Sequence, residues 1–442
     1  MIDLMNKTDS RLLSDNVNIN GEGHLTFAGH DTVALAKEHG TPLYLLDEKR
    51  IRERCRTYKN AMREAFGEGS QPLFASKSLS FRRIYEIMAE EGMGTDIVSA
   101  GELYTAKIAG FPMENAYFHG NNKTDEDIAF AIDSGIGYFV CDNIEELRAI
   151  DRAAAERGTV QNILLRITPG IDPHTLAKIS TGKVDSKFGA AIETGQAAKI
   201  TGQALALPCI KLCGFHCHIG SQIFEVDPFL DAARIMLSFA AEMQSIYGFV
   251  TEKINLGGGM GVRYLPEHPE IDYAKNIAEI GRVIKDTCAE LGIEQPDILM
   301  EPGRSIVADA GMTLYTAGTL KEISGFRTYV SVDGGMADNP RYALYEAPYT
   351  VMLANRATEK CDTVCTVAGR CCESGDLIQE GVALPRPSRG DTVAVLTTGA
   401  YNFSMASNYN RLLKPPVVML DGEHCYVAVR RETFEDLVRN DM

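Results

Sequence analysis

Eight times between residues 73 and 300 the chain repeats one unit: a short apolar run, a polar residue at its C-terminal end, then a helix-forming stretch. The runs fall at 73–75, 95–98, 117–119, 138–141, 163–167, 212–218, 253–256 and 298–300. Short apolar strands alternating with helices are the pattern of a parallel sheet. Eight units predict an α/β fold, a closed TIM-like (β/α)8 barrel, with its chemistry at the C-terminal strand ends. An open doubly wound sheet is the competitor, and the count and spacing favour closure. Helix starts agree, since Ser99 with Glu102, Thr124 with Asp127 and Asn143 with Glu146 have capping-box spacing. The strand ends then carry Lys77, Asp96, His119, Asp142, Arg166, His218, Gly257 and Glu301.

After about residue 310 the texture changes. β-rich runs at 328–332, 363–367, 392–396, 417–420 and 426–429, punctuated by Gly, Pro, Asp and Asn, predict an all-β sandwich or small barrel. Further strands are expected at 25–27 and 42–46, with a helix between them that Asp31 caps and Gly40 stops. A closed barrel offers them no edge. The expected organisation is therefore 1–46, N-terminal strands joining the C-terminal β domain; 47–309, the barrel; and 310–442, the β domain.

Composition excludes several function classes. With 442 residues and 45% of them apolar, the chain can bury a large core. A formal charge of −16 argues against nucleic acid or an anionic membrane as partner. No run of eighteen apolar residues occurs, and the first residues lack an unbroken apolar segment of signal-peptide length. Eleven scattered cysteines suggest reduced thiols in a cytoplasmic enzyme.

Within this frame Lys77 stands out, because it follows the apolar run Leu73-Phe-Ala75 directly. A partly desolvated lysine amine loses its proton more readily and can form a Schiff base with an aldehyde. Gly257-Gly-Gly-Met-Gly261 follows the seventh run and Glu301-Pro-Gly-Arg304 the eighth, the two loops that commonly hold phosphate in such barrels. Bare glycine N–H groups can form an anion nest. His216-Cys-His218 raises a rival, a divalent-metal site with a His-x-His ligand pair. The first strand offers a lysine rather than a further ligand, so no metal is expected.

The ordered motifs Phe74-Ala-Ser-Lys77, Asp185-Ser-Lys-Phe-Gly189, His218-Ile-Gly-Ser-Gln222, Gly257-Gly-Gly259, Glu301-Pro-Gly-Arg304, Asp338-Asn-Pro-Arg341, Cys372-Glu-Ser-Gly-Asp376 and Gly399-Ala-Tyr401 with Ser404-Met-Ala-Ser-Asn-Tyr409 carry a resemblance. Over residues 20 to 430 the sequence resembles the fold-type III pyridoxal-phosphate decarboxylases, and among them the branch that acts on diaminopimelate. Met260, where that family usually has Leu, and the tail Arg411-Leu-Leu-Lys-Pro-Pro depart from its pattern. The resemblance implies an alanine racemase-like fold with pyridoxal 5'-phosphate on Lys77 as a Schiff base. It implies that Glu301 meets the pyridine nitrogen and His218 lies on the ring. Ser221, Gly257, Gly258 and Gly259 would hold the phosphate, with Asp96, Gly303, Arg304 and Tyr401 also at the cofactor. Cys372 would protonate the product carbanion, and Cys372 and Glu373 would reach the neighbouring subunit's pocket in a homodimer.

Specificity is read from charge. Ornithine or lysine carries only a distal ammonium, whereas diaminopimelate also carries a distal carboxylate and calls for an arginine fork. Arg304, Arg341, Tyr345 and Tyr401 are the candidate receptors, with Glu373 for the ammonium. The expected reaction is decarboxylation of meso-2,6-diaminopimelate to L-lysine and CO2, the last step of lysine biosynthesis. Two alternatives stay open: a decarboxylase of another basic amino acid or a D-isomer, and a non-catalytic regulatory homologue.

Overall fold

The computed structural model describes residues 9–171 and 187–442. They form two compact units. One comprises Glu53–Gly261 and Ile271–Ser305; the other comprises the residues up to Arg52, Val262–Glu270 and Ile306–Met442.

The first unit contains eight parallel strands: Gln71–Ala75, Gly94–Ile97, Ala116–Phe118, Tyr138–Cys141, Gln161–Thr168, Ile210–His216, Lys253–Asn255 and Asp297–Met300. Each pairs with the next, and Leu299 and Met300 of the eighth pair with Gln71 and Pro72 of the first. The sheet is a closed ring, as the strand count predicts, and the open doubly wound alternative is excluded. The sixth and seventh strands end earlier than the sequence suggests, so His218 and Leu256 lie in loops. Leu73, Tyr117, Val140, Leu164, Cys213 and Leu299, each from a different strand, pack as one buried cluster. Tyr117 and Tyr138 stack at 4.4 Å.

Helix capping follows the sequence in part. Thr124 and Asp127 make a full capping box. Ser99 and Asn143 accept from the backbone N–H of Glu102 and Glu146, but neither glutamate returns the bond. Glu102 instead accepts from Val98 N (2.8 Å) and Ser76 Oγ (2.9 Å), while Glu146 pairs with buried Lys123 at 2.5 Å. A buried donor left unsatisfied costs more than half of a cap, so the buried partner takes the carboxylate.

In the second unit the 13-residue strand Gly311–Ile323 is central. It pairs antiparallel with Leu43–Asp47, Arg327–Val332 and Thr392–Leu396. The sequence reading missed it, because threonines and Gly318 interrupt its apolar run, and it also missed Val351–Leu353 and Leu377–Leu384. Of the N-terminal strands only Leu43–Asp47 enters this sheet, between Gly311–Ile323 and Val417–Asp421. Val17–Ile19, Leu25–Phe27 and His30–Asp31 form a sheet of their own. Val17, Leu25 and Phe27 share a core with Leu43, Leu45, Met312 and Leu314.

Leu164 is fully buried in the barrel cluster. Leu164→Ala should lower the unfolding free energy of the barrel unit by about 2–5 kcal/mol, read as a lower urea midpoint with an unchanged slope.

Candidate active site

Lys77 sits in the single 3-10 turn Ser76–Ser78 that follows the first barrel strand. Two carboxylates clamp the residue before it: Asp96 accepts from Ser76 N (2.8 Å) and Glu102 from Ser76 Oγ (2.9 Å). The desolvation expected of Lys77 from the sequence is not seen. Its side chain is exposed, while Ser76 and Ser78 on either side are buried. Its charge still acts on both acids, drawing them down against burial, which pushes Asp96 and Glu102 up.

Glu301, two residues beyond Leu299 of the eighth strand, is buried and collects donors from two neighbouring strands. Asn255 Nδ2 donates to its Oε1 at 2.7 Å. His216 Nε2 lies 3.3 Å from Oε2 and 3.1 Å from Oε1. His119 Nε2 lies 3.2 Å from Oε1, outside hydrogen-bond alignment. Burial alone would push the Glu301 carboxyl up, but the two imidazoles hold it well below the usual range. Burial pushes both histidines down, His216 to about 4. Asp96 goes the other way, raised by burial and by the charge of Glu301. The donor atoms of His119, His216 and Glu301 lie within 4.8 Å of one another, spacing that a divalent metal also accepts. The Asn255 and His216 hydrogen bonds explain their approach without one. His218, the other half of the proposed metal pair, is outside this group and accepts from Gly258 N at 3.3 Å.

The glycine loop has a steric cause inside the protein. A Cβ on Gly257, Gly258 or Gly259 would come within 2.5, 2.0 and 2.2 Å of the backbone oxygens of Cys217, Glu301 and Gly220. The sequence reading assigned these glycines to ligand approach. The structure shows that they first allow three strand-end loops to touch, which leaves a cradle of bare backbone. A Cβ on Gly303 would lie 2.7 Å from Ala75 Cβ, so the loop bearing Arg304 packs on the first strand. Arg304 Nη2 donates to Ser221 Oγ at 3.0 Å. Asp185 and Ser186 of the Asp185–Gly189 motif lie outside the described residues, and Phe188 of that motif covers the Arg166 guanidinium at 4.3 Å.

The remaining candidates belong to the second unit. Arg341 opens the short helix Arg341–Tyr345 and is 6% exposed. It donates to Tyr349 Oη at 2.7 Å and stacks over Tyr264 at 4.8 Å, with Tyr401 in electrostatic reach. Among the described residues no carboxylate pairs with it. Tyr345 and Tyr401 are half-buried, and Tyr401 takes a left-handed φ of 62°. Cys372 and Glu373 are exposed on a turn. Asp376 fixes that turn, accepting from Met336 N (2.6 Å) and Cys371 N (2.7 Å), while Asn410 Oδ1 accepts from Cys372 N at 2.7 Å.

Residues 48–308 match the family described as pyridoxal-dependent decarboxylase, pyridoxal binding domain. The diaminopimelate decarboxylase of Bacillus subtilis (strain 168) is 44% identical over 423 residues, 96% of each chain. The chain belongs to the diaminopimelate decarboxylase family of pyridoxal-dependent decarboxylases. The Halalkalibacterium halodurans diaminopimelate decarboxylase is 46% identical over 427 residues, 96% of each chain. Among solved structures, the diaminopimelate decarboxylase of M. jannaschii in complex with L-lysine aligns with TM-score 0.90 and 36% identity, covering 98% of each chain. The pyridoxal phosphate of this family fits the barrel rim: the cradle at Gly257–Gly259 suits a phosphate, and the ionised Glu301 suits a protonated ring nitrogen.

In this decarboxylase chain, one barrel rim gathers Lys77, Asp96, His218, Ser221, Gly257, Gly258, Gly259, Glu301, Gly303 and Arg304. Sequence reasoning missed Asn255, Glu102, Tyr264 and Tyr349. Asn255, alone among them, carried a usable signal, as the polar residue at the end of the apolar seventh strand. Removing the acceptor at Asp376 should loosen the Cys372 turn. Asp376→Ala should speed hydrogen exchange at the Met336 and Cys371 amides by roughly tenfold or more, with the strand amide of Val367 unchanged.

Proposed function

We propose that the protein uses pyridoxal 5'-phosphate to decarboxylate meso-2,6-diaminopimelate, giving L-lysine and CO2 in the last step of lysine biosynthesis. Arg341 carries this reading. A guanidinium buried to 6% exposure and met, among the described residues, by tyrosines and not by a carboxylate is costly to leave without an anion. The distal carboxylate of diaminopimelate supplies one, with a fork geometry that ornithine and lysine lack. The L-lysine bound in the M. jannaschii relative is the product of the same chemistry.

The bound cofactor supplies an electron sink for the pair released as CO2 leaves. Lys77 Nζ would hold its aldehyde carbon, and the loop Gly257–Gly259, whose Gly257 and Gly258 N–H groups already donate to Asn255 and His218, would approach its phosphate together with Ser221 Oγ. His218 would lie against its ring, Glu301 would keep the ring nitrogen protonated, and Asp96 would act beside the lysine, whose charge it feels. Arg341, with Tyr345 and Tyr401, binds the distal carboxylate, and Glu373 binds the distal ammonium, while Arg304 stays on the barrel rim with Ser221. Cys372 Sγ returns a proton to the α-carbon. Cys372 and Glu373 act in the partner's site of a homodimer, which suits their exposure in the single chain. None of the eleven cysteines, all of them among the described residues, is in a disulfide, which favours the cytoplasm. No helix among the described residues is long and apolar enough to cross a membrane.

Borohydride reduction of the cofactor-loaded protein followed by peptide mapping should place the label on Lys77; a label elsewhere would overturn the assignment of roles. Arg341→Ala should lower kcat/KM for diaminopimelate by roughly 10²–10³-fold, and Arg341→Lys should recover little of it. Parallel assays with ornithine, lysine and arginine test the alternative. Faster CO2 release from any of them than from diaminopimelate would reassign the substrate.

A further inference from the structure

We propose that Asn255 and His216 are positioning residues that aim Glu301 and keep it a full anion, by giving it hydrogen bonds from neutral donors only. The proposal rests on the cofactor reading above and extends it to residues that touch Glu301 rather than the cofactor.

The geometry of Asn255 is over-determined. Its Oδ1 accepts from Gly257 N at 2.8 Å, so its amide cannot flip without losing that bond. Nδ2 must therefore face Glu301, where it donates to Oε1 at 2.7 Å. The backbone adds a third tie, Glu301 N to Gly257 O at 2.8 Å. One fully buried amide thus locks the carboxylate to the glycine cradle. If Glu301 meets the ring nitrogen and the cradle meets the phosphate, Asn255 sets the distance between the two ends of the cofactor's binding frame.

His216 contributes charge control. It is fully buried, and Nε2 serves Glu301. Its Nδ1 is buried and, among the described residues, has no hydrogen-bond partner. An imidazolium would bury an unsatisfied N–H at that atom, whereas a neutral ring leaves there only a lone pair. The ring therefore donates from Nε2 as neutral imidazole, in keeping with a pKa pushed down to about 4 by burial. A cationic donor in its place would cancel the charge of Glu301 inside the protein. A neutral one leaves that charge available to a pyridinium. The other titratable groups that act on Glu301 and its histidines are Asp96, Arg166, Lys123 and His119 itself.

The test compares wild type, Glu301→Gln, His216→Phe, His216→Gln and Asn255→Leu. For each, the dissociation constant of pyridoxal phosphate from the apoenzyme, the pH titration of the bound cofactor's absorbance, and kcat and KM are measured. His216→Phe and Asn255→Leu should move the absorbance titration toward Glu301→Gln, by about one pH unit or more. They should lower kcat by roughly tenfold while KM changes less. His216→Gln keeps a neutral donor and should recover most of both. Circular dichroism identifies a variant that fails to fold, and the other position then carries the test. Wild-type titration and kcat in a folded His216→Phe or Asn255→Leu protein would overturn the proposal, as would equal loss in His216→Gln and His216→Phe. If wild-type protein takes no cofactor at Lys77, the functional reading fails instead; if it does and the variants match it, only this inference fails.

Discussion

The closure of the barrel depends on a short seam, the pairing of Leu299 and Met300 with Gln71 and Pro72. Everything at the rim depends on that seam, because it brings the turn bearing Lys77 beside the loop bearing Glu301. Ala75 N donates to Pro302 O at 3.1 Å just beyond it, and Gly303 has no side chain to hold the loop away. An open sheet would leave these two strand ends at opposite edges. Their chemistry is thus a consequence of topology before it is a consequence of residue type.

Once the ring is closed, the rim holds several carboxylates with few cations, and the protein resolves the conflict by driving them apart. Asp96 is raised by burial and by Glu301, while Glu301 stays ionised on the donors around it. Two acids on one rim whose proton affinities are pushed in opposite directions are the arrangement expected where one must present charge and another differs from it. The second unit uses a different device: Arg341 keeps its charge among tyrosine rings and hydroxyls, which solvate it without neutralising it.

Much of this was legible in the sequence, and the limit has a physical reason. The barrel strands declare themselves more by their number and spacing than by each run alone, since Gly94–Ile97 and Lys253–Asn255 hold polar residues within them. The strand Gly311–Ile323 does not, since its outer half is exposed and its threonines read as loop. Lys77, Glu301 and the glycines stand at strand ends, where position alone marks them. Tyr264 and Tyr349 matter only through what they touch, and Asn255 shows its position in the sequence but not its tie to Glu301, 46 residues away. Glu102 misled for a related reason, because its spacing from Ser99 is that of a local cap while its carboxylate serves Ser76. Periodicity reports which face is buried; it does not report who the neighbour is.

The strand Leu43–Asp47 lies between Gly311–Ile323 and Val417–Asp421. During synthesis it leaves the ribosome early, with all five residues destined for burial, and neither flanking strand exists until most of the chain has been made. Until then it is an apolar segment with an unsatisfied backbone, the kind of segment that pairs with strangers. The barrel can be assembled while that strand waits, so maturation of this polypeptide is governed by a long-delayed closure joining its opening and final stretches.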